Sequence, residues 1–90
     1  MIESTVLARI RQYVQETFLY TQPDLVLAEH DRLLEKGVID SMGMLELVDF
    51  LQSEFGVAVR DDDITEQNLG TLTSIARYVA SRNGNGGGHR

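Results

Sequence analysis

A serine in this chain stands where phosphate chemistry is possible. The run Gly37-Val38-Ile39-Asp40-Ser41-Met42-Gly43 leads an ordered connection into a helix. The Ser41 hydroxyl therefore projects at a helix N-terminus, where free backbone N–H groups and the helix dipole favour a phosphate. Asp40 beside it either caps the helix or helps to position a metal-bound phosphate donor. The plainer reading is that Asp40 and Ser41 only cap, because a short side-chain oxygen accepts an orphan N–H. On local chemistry alone, capping is the stronger reading. Catalysis by Ser41 lacks a partner, since a serine nucleophile needs a base, usually a histidine oriented by a carboxylate. His89 sits in a Gly-rich tail, and His30 lies between Glu29 and Asp31 in a polar stretch. Ser41 is read as an acceptor that another enzyme modifies, and the chain as no enzyme.

Other chemistries fall away on composition. The 90 residues include no cysteine, which excludes disulfides, thiolate catalysis and Cys-based zinc sites. Any thiol must arrive on something attached to the chain. Asp61-Asp62-Asp63 lacks the spaced ligands, central Gly and twelfth-position Glu of a calcium loop, so no metal site is expected. No glycine-rich phosphate loop is present.

Charge points to the kind of partner. Lys+Arg is 8 and Asp+Glu is 14, a net −6 that disfavours nucleic acid and anionic membrane surfaces. The placement is uneven. Residues 35–66 hold nine acidic side chains against Lys36 and Arg60, a local −7 around the Ser41 helix. Basic partners would be steered there. On a helical wheel Met42, Glu46, Asp49 and Ser53 share a narrow outward sector, flanked by Leu45. An unbranched, polarizable methionine among acids suits a docking surface. A single exposed apolar residue on a solvated helix is equally ordinary.

The elements that position these residues read as helices. Val6, Ile10, Tyr13, Val14 and Thr17 form one stripe, with Phe18 and Leu19 closing it, over residues 3–20. Thr21-Gln22-Pro23-Asp24 reads as a stop and turn. Residues 21–39 hold Leu25, Val26, Leu27, Leu33, Leu34, Val38 and Ile39, too many apolar groups to leave in water. This long connection should lie across the helices, with a short turn over 32–36 ending at Gly37. A second helix is expected over 41–55, with Asp40 or Ser41 as N-cap, Met44, Leu47, Val48, Leu51 and Phe55 inward, and Gly56 past its end. Val57-Ala58-Val59 alternates like a strand but has no pairing partner, so it reads as extended loop. Asp61-Asp62-Asp63 should cap a short helix over 64–67, broken by Gly70. Thr71 should cap a last helix through Arg82, with Leu72, Ile75, Ala76 and Val79 inward.

The expectation is an all-α fold, a four-helix bundle of three longer helices and one short one with a long loop between helices 1 and 2. It forms a single domain over residues 1–82, followed by a flexible Gly-rich tail over 83–90. The start of the chain has no signal-peptide pattern, and no apolar run reaches the ~20 residues of a membrane span. The chain reads as a cytoplasmic monomer.

At this point the residues resemble the carrier proteins that bear 4′-phosphopantetheine: the acyl, peptidyl and D-alanyl carriers. Leu33-Leu34-Glu35-Lys36-Gly37-Val38-Ile39-Asp40-Ser41-Met42 resembles that family's run into its modified serine. Leu45-Glu46-Leu47-Val48, Leu51 and Glu54-Phe55-Gly56-Val57 resemble its recognition helix and exit. Asp61-Asp62-Asp63, Thr71-Leu72, Ile75 and Tyr78-Val79 complete the series. The resemblance implies that Ser41 carries a phosphopantetheine arm from coenzyme A, with Asp40 as its positioning neighbour. It implies a thioester of an acyl or aminoacyl group on that arm. The implied partners are a phosphopantetheinyl transferase, an adenylating acyl or amino-acid ligase, and a downstream transferase or condensing enzyme. These would dock on Met42, Leu45, Glu46, Asp49 and Ser53 of a free-standing carrier. Two residues separate Gly37 from Asp40, and Met42 follows Ser41, which resembles D-alanyl and some amino-acid or peptidyl carriers more than fatty-acid carriers. The competing reading is a helical interaction module that uses the acidic 42–53 face and is never modified.

Overall fold

The computed structural model describes residues 3–22 and 24–86, with side chains described only as far as 82. It is all-helical: α1 (Glu3–Phe18), α2 (Ser41–Phe55), a 3-10 turn (Asp61–Asp63), α3 (Glu66–Leu69) and α4 (Leu72–Gly86). Periodicity explains the three longer helices. Val6, Ile10 and Val14 of α1, Met44, Leu47, Val48, Leu51 and Phe55 of α2, and Leu72, Ile75, Ala76 and Val79 of α4 are all buried. They meet in one core, which the connection between α1 and α2 completes with Leu27, Leu33, Val38 and Ile39. α1 packs most extensively on α4. α1 and α2 are joined by Tyr13 stacked on Phe50 at 3.8 Å between centroids and by the Arg9–Glu54 ion pair at 3.0 Å.

The long connection is ordered by backbone bonds and not by a helix of its own. Thr73 donates both its N–H and its hydroxyl to the Glu29 carbonyl, at 3.0 Å each. The Leu33 N–H donates to the Gly70 carbonyl at 2.9 Å, and the Arg11 guanidinium donates to the Leu27 carbonyl at 2.6 Å. The expected turn is present. Gly37 N–H donates to Leu34 C=O and Val38 N–H to Leu33 C=O, around a left-handed Gly37 at φ 73°. That is a Schellman closure, and only a residue without Cβ adopts its φ at little cost.

Three boundaries differ from expectation. α1 ends at Phe18, not at 20. Leu19 turns into the core, its N–H reaching the Val14 carbonyl at 3.2 Å, and Tyr20 is left exposed. Pro23, expected to end the helix, lies outside the described residues. The short helix covers Glu66–Leu69, not 64–67, and its cap is Thr65, whose hydroxyl accepts the Asn68 N–H. The three aspartates instead form their own 3-10 turn, which is tied to α4. There the Tyr78 hydroxyl donates to Asp63 at 2.7 Å and Arg82 approaches the same carboxylate at 3.8 Å. Val57–Val59 forms no strand, as expected; the Ala58 carbonyl accepts from Arg82 and the Val59 N–H donates to the Gln52 side chain. Thr71 caps α4 through the Ser74 N–H. α4 continues to Gly86, past the expected end at Arg82, so residues 83–86 of the expected flexible tail are helical, and residues 87–90 lie outside the described residues.

Candidate functional site

Ser41 is the first residue of α2, and the cap beside it is settled. Asp40 takes an extended backbone, φ −96° and ψ −174°, and its Oδ1 accepts the Gly43 N–H at 2.7 Å. The Met44 N–H returns to the Asp40 carbonyl at 2.9 Å. Asp40 is therefore the N-cap, and the Ser41 hydroxyl, not needed for capping, is exposed. The Ser41 and Met42 N–H groups belong to the first turn, where a helix has no internal acceptors for them. A serine oxygen in water, beside free first-turn donors at the positive end of the dipole, fits a phosphate ester.

The position of this serine is set by close packing that spacing alone did not reveal. A Cβ on Gly43 would stand 2.9 Å from Phe18 Cε1, 3.1 Å from Ile39 Cγ2 and 3.2 Å from Asp40 Oδ1. Gly43 therefore lets the end of α1 press on the first turn of α2 without displacing the cap. The signal available in the sequence was a glycine at the third helical position, an expensive choice in a helix that only a close approach justifies.

The outward sector of α2 emerges as the wheel placed it. Met42 is 71% exposed and Leu45 53%, and Glu46, Asp49 and Ser53 are exposed around them. The face has two flanks. On the α1 side, Glu46, Asp49 and Ser53 rim a shallow depression floored by Tyr13 and Phe50. The Tyr13 hydroxyl donates to the Glu46 carbonyl at 3.4 Å. Burial, reinforced by the charge of Glu46, raises the Tyr13 phenol above its ordinary value. On the α3 side a groove of about 210 Å³ opens beside Ser41, lined chiefly by Leu34, Met44, Leu45 and Ile64. Sequence reasoning missed both Tyr13–Phe50 and this groove, because each joins residues distant along the chain.

Among the described residues no histidine hydrogen-bonds to Ser41. His30 lies exposed in the connection with its ring beside Glu29 at 3.8 Å, and His89 lies outside the described residues. Among the described residues no group of three or more His, Asp or Glu side chains gathers to hold a metal ion, and no helix is long and apolar enough to cross a membrane.

The family described as "Phosphopantetheine attachment site" matches residues 8–79. The chain belongs to the phosphopantetheine-dependent carrier protein family. The match runs from within α1 through the connection, α2 and α3 into α4, so it does not rest on the serine run alone. The chain is also similar to a curated acyl carrier protein of Zymomonas mobilis, 34% identical over 71 residues, covering 79% of this chain and 86% of the relative. Carriers of this family bear 4′-phosphopantetheine covalently and are not catalysts, and this chain is such a carrier. The exposed serine oxygen and free N–H groups at the start of α2 are compatible with that group.

Proposed function

We propose that Ser41 is the attachment residue, joined through a phosphodiester to phosphopantetheine donated by coenzyme A. The observation that carries this is the division of labour at the start of α2: Asp40 does the capping, and the exposed Ser41 hydroxyl is left over. Asp40 also acts as a positioning neighbour, because its bond to the Gly43 N–H fixes the turn from which Ser41 projects. When bound, the arm supplies a thiol that holds cargo as a thioester, the chemistry this cysteine-free chain lacks. The chain itself presents, orients and releases.

The cargo is an acyl or aminoacyl group, loaded by an adenylating ligase and passed to a transferase or condensing enzyme. These enzymes and the phosphopantetheinyl transferase dock on Met42, Leu45, Glu46, Asp49 and Ser53. Support comes from the exposure of all five and from the local acidic excess. Among the described residues no basic side chain pairs with Glu46 or Asp49, so both carboxylates face outward uncompensated.

Intact-protein mass spectrometry after incubation with coenzyme A and a broad-specificity transferase tests the attachment. The wild type should gain one phosphopantetheine and Ser41→Ala none. A wild type that never gains mass, or a variant that still does, would overturn the assignment.

A further inference from the structure

The depression between α1 and α2 differs from the rest of the acidic face in having an aromatic floor. Glu46, Asp49 and Ser53 rim it, and Tyr13 of α1 and Phe50 of α2 lie beneath. The two rings stack almost parallel at 3.8 Å between centroids. Phe18 meets Tyr13 edge-on and Phe55 meets Phe50 edge-on, so the floor is braced on both sides. Among the described residues neither Glu46 nor Asp49 pairs with a basic side chain. Burial raises the Tyr13 phenol, and both carboxylates raise it further by their charge, so both act on the floor.

The chain itself shows what such a surface takes. The Arg9 guanidinium lies 5.1 Å from the centre of the Phe50 ring and pairs with Glu54 at 3.0 Å. A planar cation there combines a ring with a carboxylate, two contacts that suit arginine better than lysine. Tyr13 stands one turn further along α1. It offers a ring beside two carboxylates, and Arg9, already matched by Glu54, does not neutralise them.

We propose that this depression is a seat for one arginine side chain of a docking enzyme, so that the docking surface crosses from α2 onto α1 at Tyr13. The proposal deepens the docking role given above to Glu46, Asp49 and Ser53, and it rests on that reading. Charge complementarity selects a cation. The ring floor selects a guanidinium, which is planar, less strongly hydrated than an ammonium, and forked so that it can reach two carboxylates. The depression is too shallow to enclose a free metabolite, which fits the end of a side chain carried on a protein.

The unmodified chain tests the seat, with N-acetyl-arginine methylamide and N-acetyl-lysine methylamide as probes at low salt, followed by nuclear magnetic resonance. The arginine probe should move the Tyr13 ring resonances and the Asp49 and Phe50 amides, and it should bind more tightly than the lysine probe. Tyr13→Leu should weaken the arginine probe by about two- to fivefold, the range of an exposed cation–π contact. Tyr13→Phe keeps the ring and should bind like the wild type. Asp49→Asn, an exposed change, should weaken both probes, and it decides the matter if Tyr13→Leu fails to fold. Equal binding of the two probes, no movement at Tyr13, or an Asp49→Asn chain that binds arginine as the wild type does overturns the seat. The probes need no ligase, so their failure removes the seat alone. Unchanged ligase loading after Glu46→Lys with Asp49→Lys removes the docking reading itself.

Discussion

The first turn of α2 and the α3 wall both border Ser41, and they are built in opposite ways. The first turn is fixed from several directions: by the Asp40–Gly43 bond, by Phe18 pressed on Gly43, and by buried Ile39, Met44 and Leu47 around it. α3 rests on Leu69, on the Thr65 cap, on an Asn68 side-chain bond to the Asp63 carbonyl, and on a surface ion pair. The contrast suits a handle. If Ser41 is the attachment residue, the arm has a fixed root beside a less firmly held segment. Stability is unevenly spread in this way where binding requires motion.

The largest expected break in this contrast comes from filling the close approach. Gly43→Val adds a branched side chain where even a Cβ meets Phe18 at 2.9 Å. Overpacking of this kind costs about 1–3 kcal/mol, read by urea unfolding, and it should also slow arm attachment by displacing Asp40. A variant as stable as the wild type would show that the first turn is not held from α1. Next comes the cap itself. Asp40→Ala should cost about 1 kcal/mol, the usual loss when an N-cap oxygen is removed. The core of α2 should persist, so circular dichroism should change little while melting falls. Smallest in stability is the docking face. Glu46→Lys with Asp49→Lys should change unfolding by less than about 0.5 kcal/mol, since both side chains are exposed. It should still slow loading by the ligase at low salt, through association rate. Unchanged loading would remove the acidic face from the account.

The aspartate turn, whose C-cap Ile64 lines the groove that Ser41 also borders, offers a pH test. Burial, and then donation to Asp63, raises the Tyr78 phenol above its ordinary value of 10.0. A raised folded-state value means the contribution is present below the unfolded value and lost as pH rises through the folded one. Stability should therefore fall above about pH 10, and the fall should be smaller in Tyr78→Phe. An identical alkaline profile in both chains would show that the bond to Asp63 contributes nothing.

The three longer helices were legible because their buried positions recur at helical spacing, as Leu47, Val48, Leu51 and Phe55 do. Gly37 and Gly56 were legible as stops because each sits in left-handed backbone that glycine tolerates. The end of α1 was less so. Leu19 continues the apolar stripe in sequence, yet it reaches the core from a turn. The aspartates misled as a cap because Asp63 spends its side chain on Tyr78 and Arg82, leaving Thr65 to cap α3. The same limit hid the groove and the Arg32–Glu66 contact. Arg32 and Glu66 are 34 positions apart, and no local pattern records such a pair. Of the site, the serine and its acidic helix could be read from order and spacing. The glycine seat beneath it and the groove beside it needed the fold.

The central claim is tested most directly by peptide mass spectrometry of the protein taken from its own cells while its pathway is active. The account predicts that the peptide containing Ser41 carries phosphopantetheine. A bare hydroxyl at that residue, or an arm found on another peptide, would contradict it.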